Sequence, residues 1–158
     1  MPTFVVRSVM VLLCVWQLGI ATALAQPQAP AAAPLPDGTI KTVQGQVTVI
    51  HDNMQSTAVV GALVRSSDRI QTGVDSAAAI TLADGTIMSI GPNSVVELQS
   101  FRFDPATNDG NVLVNVVRGT LRMVTGMIAK VKPEQVKVTT PTTVIGVRGT
   151  DFIVEVNP

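Results

Sequence analysis

Few side chains in this sequence are equipped for chemistry. His51 is the only histidine and stands beside Asp52 in "VIHDNMQ". Adjacent residues on a strand point to opposite faces, so the pair is badly arranged to act as a base and its orienting carboxylate. With no second histidine and no cysteine in reach, a zinc site has no ligand set, and His51 is expected to be a solvated turn residue. Asp68, Asp75 and Asp84 are the carboxylates that a hydrolase or a calcium site would need. They lack the alternate-position spacing of a calcium loop, and Asp84-Gly85 reads more simply as a hairpin turn. Ser66-Ser67 has no base nearby, and the glycines punctuate strands without forming a phosphate-binding loop. A carboxylate- or Ser66-dependent hydrolase is therefore the weakest functional reading, and no catalytic residue, metal or cofactor is assigned.

Arg148 is the side chain whose setting demands an explanation, because "KVTTPTTVIGVRGTDFIVEV" otherwise reads as buried sheet. Gly146 and Gly149 remove side chains on both sides of it, which allows a tight turn and the close approach of a neighbouring coil. The expectation is a buried guanidinium that pins exposed carbonyls or pairs with Asp151; binding of an anion or ligand is the alternative. Phe101-Arg102-Phe103 places two rings on one face of a strand and the arginine on the other. If exposed, that face is an interaction patch; if buried, it is core.

These residues must be positioned by strands. Val43, Val47 and Val49, then Ala78, Ile80 and Leu82, then Phe152, Val154 and Val156 occupy alternate positions, the mark of half-buried strands. Abundant valine, isoleucine and threonine agree with this. Turn formers recur at short intervals, at Asp37-Gly38, Asp84-Gly85, Gly91-Pro92-Asn93, Asp104-Pro105, Asn108-Asp109-Gly110, Gly119 and Gly149. The fold class is all-β, a solenoid-like stack or a two-layer roll. An echo of Asp84-Gly85-Thr86, Arg118-Gly119-Thr120 and Arg148-Gly149-Thr150, spaced 34 and 30 residues, suggests repeated units. Leu121 and Met123 nevertheless sit one position out of step with Met88 and Ile90. Thr125 to Glu134 is the one candidate helix, with Thr125 as cap and Pro133 as stop.

Residues 1–25 have the three parts of a secretory signal: Arg7, the apolar run Val9 to Leu18, and Ala23-Leu24-Ala25 before a cut at Gln26. Retention of this segment as an anchor is the competing reading. Residues 26–37 read as a Pro/Ala-rich linker and residues 38–158 as one domain. Cys14, inside the signal, is the sole cysteine, so the exported chain has no thiol and its stability must come from packing. Without Arg7, the eleven basic side chains become ten, against eleven acidic ones; nucleic acid is not an expected partner. The only aromatic side chains after the signal are Phe101, Phe103 and Phe152, which favours a broad contact over a small, tight one.

"GQVTV", "ALVRSSDRIQTGVDSAAAITLADGTIMSIGPNSVVEL", "LVNVVRGTLRMVTG" and "TTPTTVIGVRGTDF", read in order, resemble the FecR domain, the periplasmic sensory module of ferric-citrate-type regulators. The resemblance spans Val43 to Val156, and its most specific part is Thr140-Pro141 followed by Gly146, Arg148, Gly149, Thr150 and Phe152. It implies an all-β domain, exported to the bacterial periplasm or envelope, that binds or senses through protein contact and not through catalysis. Its implied partner is an envelope protein: a transporter, a membrane sensor or an anti-sigma protein. The chain reads as a standalone form of the module, without the cytoplasmic and C-terminal segments of the larger regulators. A structural role in an envelope or surface assembly is the alternative function.

Overall fold

The computed structural model describes residues 36–148 and 151–157. The expected signal, the first ten residues of the expected linker, and Gly149 and Thr150 of the motif lie outside the described residues. What is described is an all-β body: a curled sheet of twelve strands with one short helix. Twelve strands overstate its complexity, since most are halves of longer ones. β1 (Gly38–Gln44) continues into β2 (Val47–His51), β5 (Arg69–Thr72) into β6 (Ala77–Leu82), and β7 (Ile87–Ile90) into β8 (Val95–Asp104), while β9 (Asp109–Val124) runs through unbroken. β3 (Met54–Thr57) and β4 (Leu63–Val64) form a further divided strand at one edge. β3-β2-β5-β8-β9 is one half of the sheet and β9-β7-β6-β1-β4 the other. A single apolar cluster takes Val47, Ile70, Leu98 and Val114 from the first half and Ile40, Ile80, Met88 and Leu121 from the second. The pairing of the long strands is antiparallel throughout, so of the two forms allowed by the sequence it is the rolled one.

Where a strand passes from one half to the other, its ladder of backbone bonds is interrupted, and buried amides there need other partners. The chain supplies them twice with the same device. In Gly73-Val74-Asp75-Ser76, Asp75 has φ 52° and Ser76 Oγ donates to Val74 O (2.9 Å) while accepting from Gln46 N–H (2.9 Å). In Gly91-Pro92-Asn93-Ser94, Asn93 has φ 52° and Ser94 Oγ donates to Pro92 O (3.0 Å) while accepting from Thr120 N–H (2.9 Å). The residues facing these serines are Gly45 at φ 68° and Gly119 at φ 85°. A side chain at either glycine would be driven into the serine oxygen as well as into a backbone conformation that L-residues avoid. Thr72 joins the two corners: its Oγ1 donates to Gly91 O (2.6 Å) and accepts from Ser94 N–H (2.9 Å). Ser76, Ser94 and Thr72 are all fully buried, at 2%, 0% and 2% exposure, so these bonds are made away from water.

The corners also account for the phase slip in the sequence. Along β9 the buried side chains are Val112, Val114 and Val116, then Leu121 and Met123. The inward face changes parity at Val117 to Thr120, opposite the Ser94 corner, and so Leu121 pairs with Ile90 and Met123 with Met88 across the ladder. The triplet echo does not mark equivalent places. Asp84-Gly85-Thr86 is the hairpin turn between β6 and β7, as expected, whereas Arg118-Gly119-Thr120 lies inside a strand at its corner. The repeat that carries structural meaning is the four-residue pattern Gly-X-Asp/Asn-Ser, which recurs eighteen residues on.

The candidate helix is shorter than expected. α1 spans Met127–Val131, and Pro133–Gln135 forms a single 3-10 turn. Its N-cap is Gly126, not Thr125, and no side chain caps it; Thr125 is buried one residue earlier. Gly126 N–H instead donates to Thr86 Oγ1 (3.0 Å), and Met127 N–H to Asp84 O (2.9 Å). Asp84, 2% exposed, accepts from Thr86 N–H and Thr86 Oγ1. The hairpin turn thus clasps the start of the helix, and Ile128 seals the core end at 0% exposure.

Gly119→Ala is expected to lower unfolding free energy by about 3 kcal/mol, from left-handed strain and overpacking together. Ser94→Ala, which only orphans the Thr120 amide, is expected to cost about 1–3 kcal/mol. Urea denaturation measures both.

Candidate functional site

β9, the longest strand, has neighbours on both sides along most of its length. Its inner edge carries β8 and β7. Its outer edge carries β10 (Val136–Thr139), which runs parallel against Val112 to Asn115, and β12 (Asp151–Val156), antiparallel against Gly119 to Val124. The two approach from opposite ends, so Val116 to Arg118 has no strand on that edge among the described residues. A groove of about 590 Å³ opens there, with Val117 at its floor and Pro141, Ile145, Val154 and Val156 on its walls. β11 (Val144–Gly146) folds back on β10 as a hairpin. Its turn is Thr140-Pro141-Thr142-Thr143, closed by Thr140 N–H to Thr143 O (2.8 Å) and Thr143 N–H to Thr140 Oγ1 (3.1 Å). Pro141 cannot donate to a ladder, and in a turn it does not have to.

Of the described motif residues, Thr140 and Pro141 border the open sheet edge, whereas Gly146 and Arg148 lie beside Pro133 and Glu134. Thr140 and Pro141 make the hairpin turn, Gly146 ends β11, and Phe152 packs partly buried against the core from β12. Val144 and Ile153 remain 68% and 65% exposed, and Val147 is buried at 6%. Two expectations need correction. Arg148 is exposed and takes no ion pair among the described residues; Asp151 is held instead by Arg122, through Nε (3.0 Å) and Nη2 (2.6 Å). Register explains this, since Asp151 pairs with Val124 on β9 and so comes beside Arg122. Gly146 has open space where a side chain would stand, and among the described residues no neighbouring coil approaches it there as anticipated.

The other candidate groups fall in separate places. Phe101 is core at 5% exposure and Phe103 packs partly buried against it, so the two rings form no exposed patch; Arg102 alone faces outward. His51 is not a free turn residue. It ends β2, and its Nδ1 meets Oδ1 of the buried Asp68 at 2.5 Å, with Nε2 3.3 Å from Asp52. Asp68 Oδ2 also accepts from Arg65 N–H. Sequence reading missed this pair because His51 and Asp68 are separated by β3 and β4; the signal was that β2 and β5 are adjacent strands, with Ile50 opposite Arg69. Ser66 Oγ donates to Asp37 Oδ2 (2.8 Å) and accepts from Phe101 N–H (3.0 Å), so Asp37, the last residue of the expected linker, is tied to the fold. Asp68, Asp75 and Asp84 lie on three different turns and are not brought together. Among the described residues, no three His, Cys, Asp or Glu side chains gather as metal ligands.

The outward face of the first half-sheet carries a connected polar row. Arg69, Glu97, Asn115 and Thr139 are cross-strand neighbours on β5, β8, β9 and β10. Arg69 Nε donates to Glu97 Oε1 (2.7 Å), Asn115 Nδ2 to Glu97 Oε2 (3.1 Å), and Thr139 Oγ1 to Asn115 Oδ1 (3.2 Å). Partial burial pushes the Glu97 carboxyl up, but hydrogen bonds from Asn115 and Arg69, with the Arg69 charge, outweigh it and leave the pKa below the ordinary glutamate value.

The model of the family described as FecR protein matches residues 68–158, from Asp68 ahead of β5 through β12. No curated protein and no solved structure matches the chain. No helix among the described residues is long and apolar enough to cross a membrane.

Because the Glu97 pKa is lower in the folded state, its contribution is present above the unfolded value of about 4.3 and is lost as pH falls through the folded value. Glu97→Gln should therefore flatten the acid limb of stability against pH below about pH 4. Urea midpoints at stepped pH measure this, and an unaltered acid limb would contradict it.

Proposed function

The chain belongs to the FecR protein family, and on that premise we propose that it is a binding and sensing module of the bacterial envelope, working by contact with another protein. The family is regulatory and non-catalytic, and it is associated with the envelope and with membrane proteins. The observation that carries the reading is the open outer edge of β9. Two of the motif residues, Thr140 and Pro141, stand beside an unpaired stretch of strand and line the apolar groove there. An extended segment of a partner can add to such an edge through backbone bonds and place side chains in the adjoining groove. Val144 and Ile153 supply apolar contact, and Arg148 supplies five donors for carboxylates or carbonyls. The partner class is a transporter, a membrane sensor or an anti-sigma protein of the envelope.

A second observation favours a structural role. The opposite edge, Met54 to Val64, contains no charged residue, and Met54, Val59, Val60 and Leu63 are all more than half exposed. Natural sheets usually protect such edges with charge, so association of copies along it is the competing reading.

A photo-reactive residue at position 144 is expected to capture one discrete envelope protein, and the same residue at Lys41 to capture none. Arg148→Ala is expected to reduce that capture while leaving the melting temperature unchanged, because the side chain is exposed. Cross-links only between copies of the chain, in large oligomers, would transfer the conclusion to the structural role. A clear drop in melting temperature for Arg148→Ala would return the arginine to a structural pin.

A further inference from the structure

On the outward face of the first half-sheet, away from the open edge, lies a solvent-open depression of about 880 Å³. Its floor is the start of β9, and its walls come from β8, the turn at Asp104 to Asp109, and the segment from Lys132 to Lys137. The ladder register brings its groups to one face. Arg102 pairs with Asn111, and Lys137 with Leu113, while the alternate residues Phe101, Val112, Val114, Val136 and Val138 are buried. Arg102 and Lys137 thus stand on either side of β9, two residues apart along it. Their Cα atoms are separated by about 12 Å, from the strand spacing and the rise per residue.

The acids nearest to them are already engaged. Lys132 Nζ holds Asp109 Oδ2 at 2.7 Å, and Asp104 accepts from Ala106 N–H and Thr107 Oγ1. Asn111, which lines the depression, donates Nδ2 to Ser100 Oγ at 2.9 Å, and its side-chain carbonyl oxygen takes no bond among the described residues. Among the described residues, neither Arg102, Lys137 nor the exposed Gln135 has a side-chain partner. Elsewhere on the same face the polar row satisfies itself, with Arg69 neutralised by Glu97. The depression is therefore donor-rich, contains two uncommitted cations, and adds amide groups that can both donate and accept. Its volume exceeds that of a single ion, and at that backbone spacing the long Arg102 and Lys137 side chains can converge on one anionic group and leave room for the molecule that carries it.

We propose that this depression binds an anionic saccharide: the carboxylate or phosphate of the sugar sits between Arg102 and Lys137, and its hydroxyls bond to Asn111 and Gln135. Charge-assisted bonds from a guanidinium give orientation as well as attraction, and side-chain amides suit hydroxyls that act as donor and acceptor together. The site is independent of the partner-binding edge, so either can fail without the other.

The experiment is a titration of the folded chain with glucuronate, glucose 6-phosphate, inorganic phosphate and glucose, followed by amide chemical shifts and calorimetry. Saturable shifts at Asn111, Leu113 and Lys137 are expected with at least one of the two anionic sugars, and which of them binds identifies the anionic group. Inorganic phosphate should bind at least tenfold more weakly, and glucose should produce no saturable shift. Arg102→Gln combined with Lys137→Gln should weaken the sugar at least tenfold with an unchanged melting temperature, since both side chains are exposed. The proposal is overturned if neither anionic sugar binds, if phosphate alone or glucose binds as well, or if the double variant retains its affinity.

Discussion

A long β-strand that bends from one half of a sheet into the other loses its backbone partners at the bend, and the fold depends on how that loss is made good. Here Ser76 and Ser94 each bond back to the carbonyl two residues earlier and accept the amide that the bend orphans. Each faces a glycine in the left-handed region. Thr72 ties one corner to the next. Because an unsatisfied buried amide costs as much as the bond it forgoes, the three hydroxyls act on the whole sheet. They allow Ile40, Ile70, Ile80 and Leu98 to belong to a single core, which takes the place of the disulfides the chain cannot make.

The bend also determines what is left open. The continuous antiparallel meander uses one edge of β9 fully, and the other edge is filled from both ends by β10 and β12, which do not meet. The short helix, clasped by Asp84 and Thr86, sends the chain back so that β10 runs parallel to β9 and the hairpin turn at Pro141 comes beside the end of β12. The exposed edge, the apolar groove and the Thr140-Pro141 turn thus share one cause. The carboxylates are scattered: Asp68 accepts from Arg65 N–H and Asp84 from Thr86, each within its own turn.

The legible part of the site and the illegible part differ in kind. Thr140-Pro141 as a turn and Phe152 as an inward residue follow from local chemistry and alternation, and both could be read from the sequence. Arg148 could not. A guanidinium among valines suggests burial, yet its exposure depends on where β11 ends and on Asp151 being claimed by Arg122 from β9. His51 was misjudged for the same reason, since Asp68 becomes its neighbour only through the pairing of β2 with β5. The corner pattern Gly-X-Asp/Asn-Ser was in plain view, but its meaning depends on the glycine opposite, and those glycines lie 31 residues before Ser76 and 25 residues after Ser94.

By itself the amino-acid sequence determined the strand content, several of the turns, such as Asp84-Gly85, the thiol-free composition outside the first residues and the family, because each of these rests on local periodicity or on an ordered set of motif residues. Only the tertiary structure decided strand order, the places where strands bend, which charges pair and which edge stays open. Those are relations between residues far apart in the chain, and a hydrogen-bond register that brings two of them together leaves no trace in either neighbourhood alone.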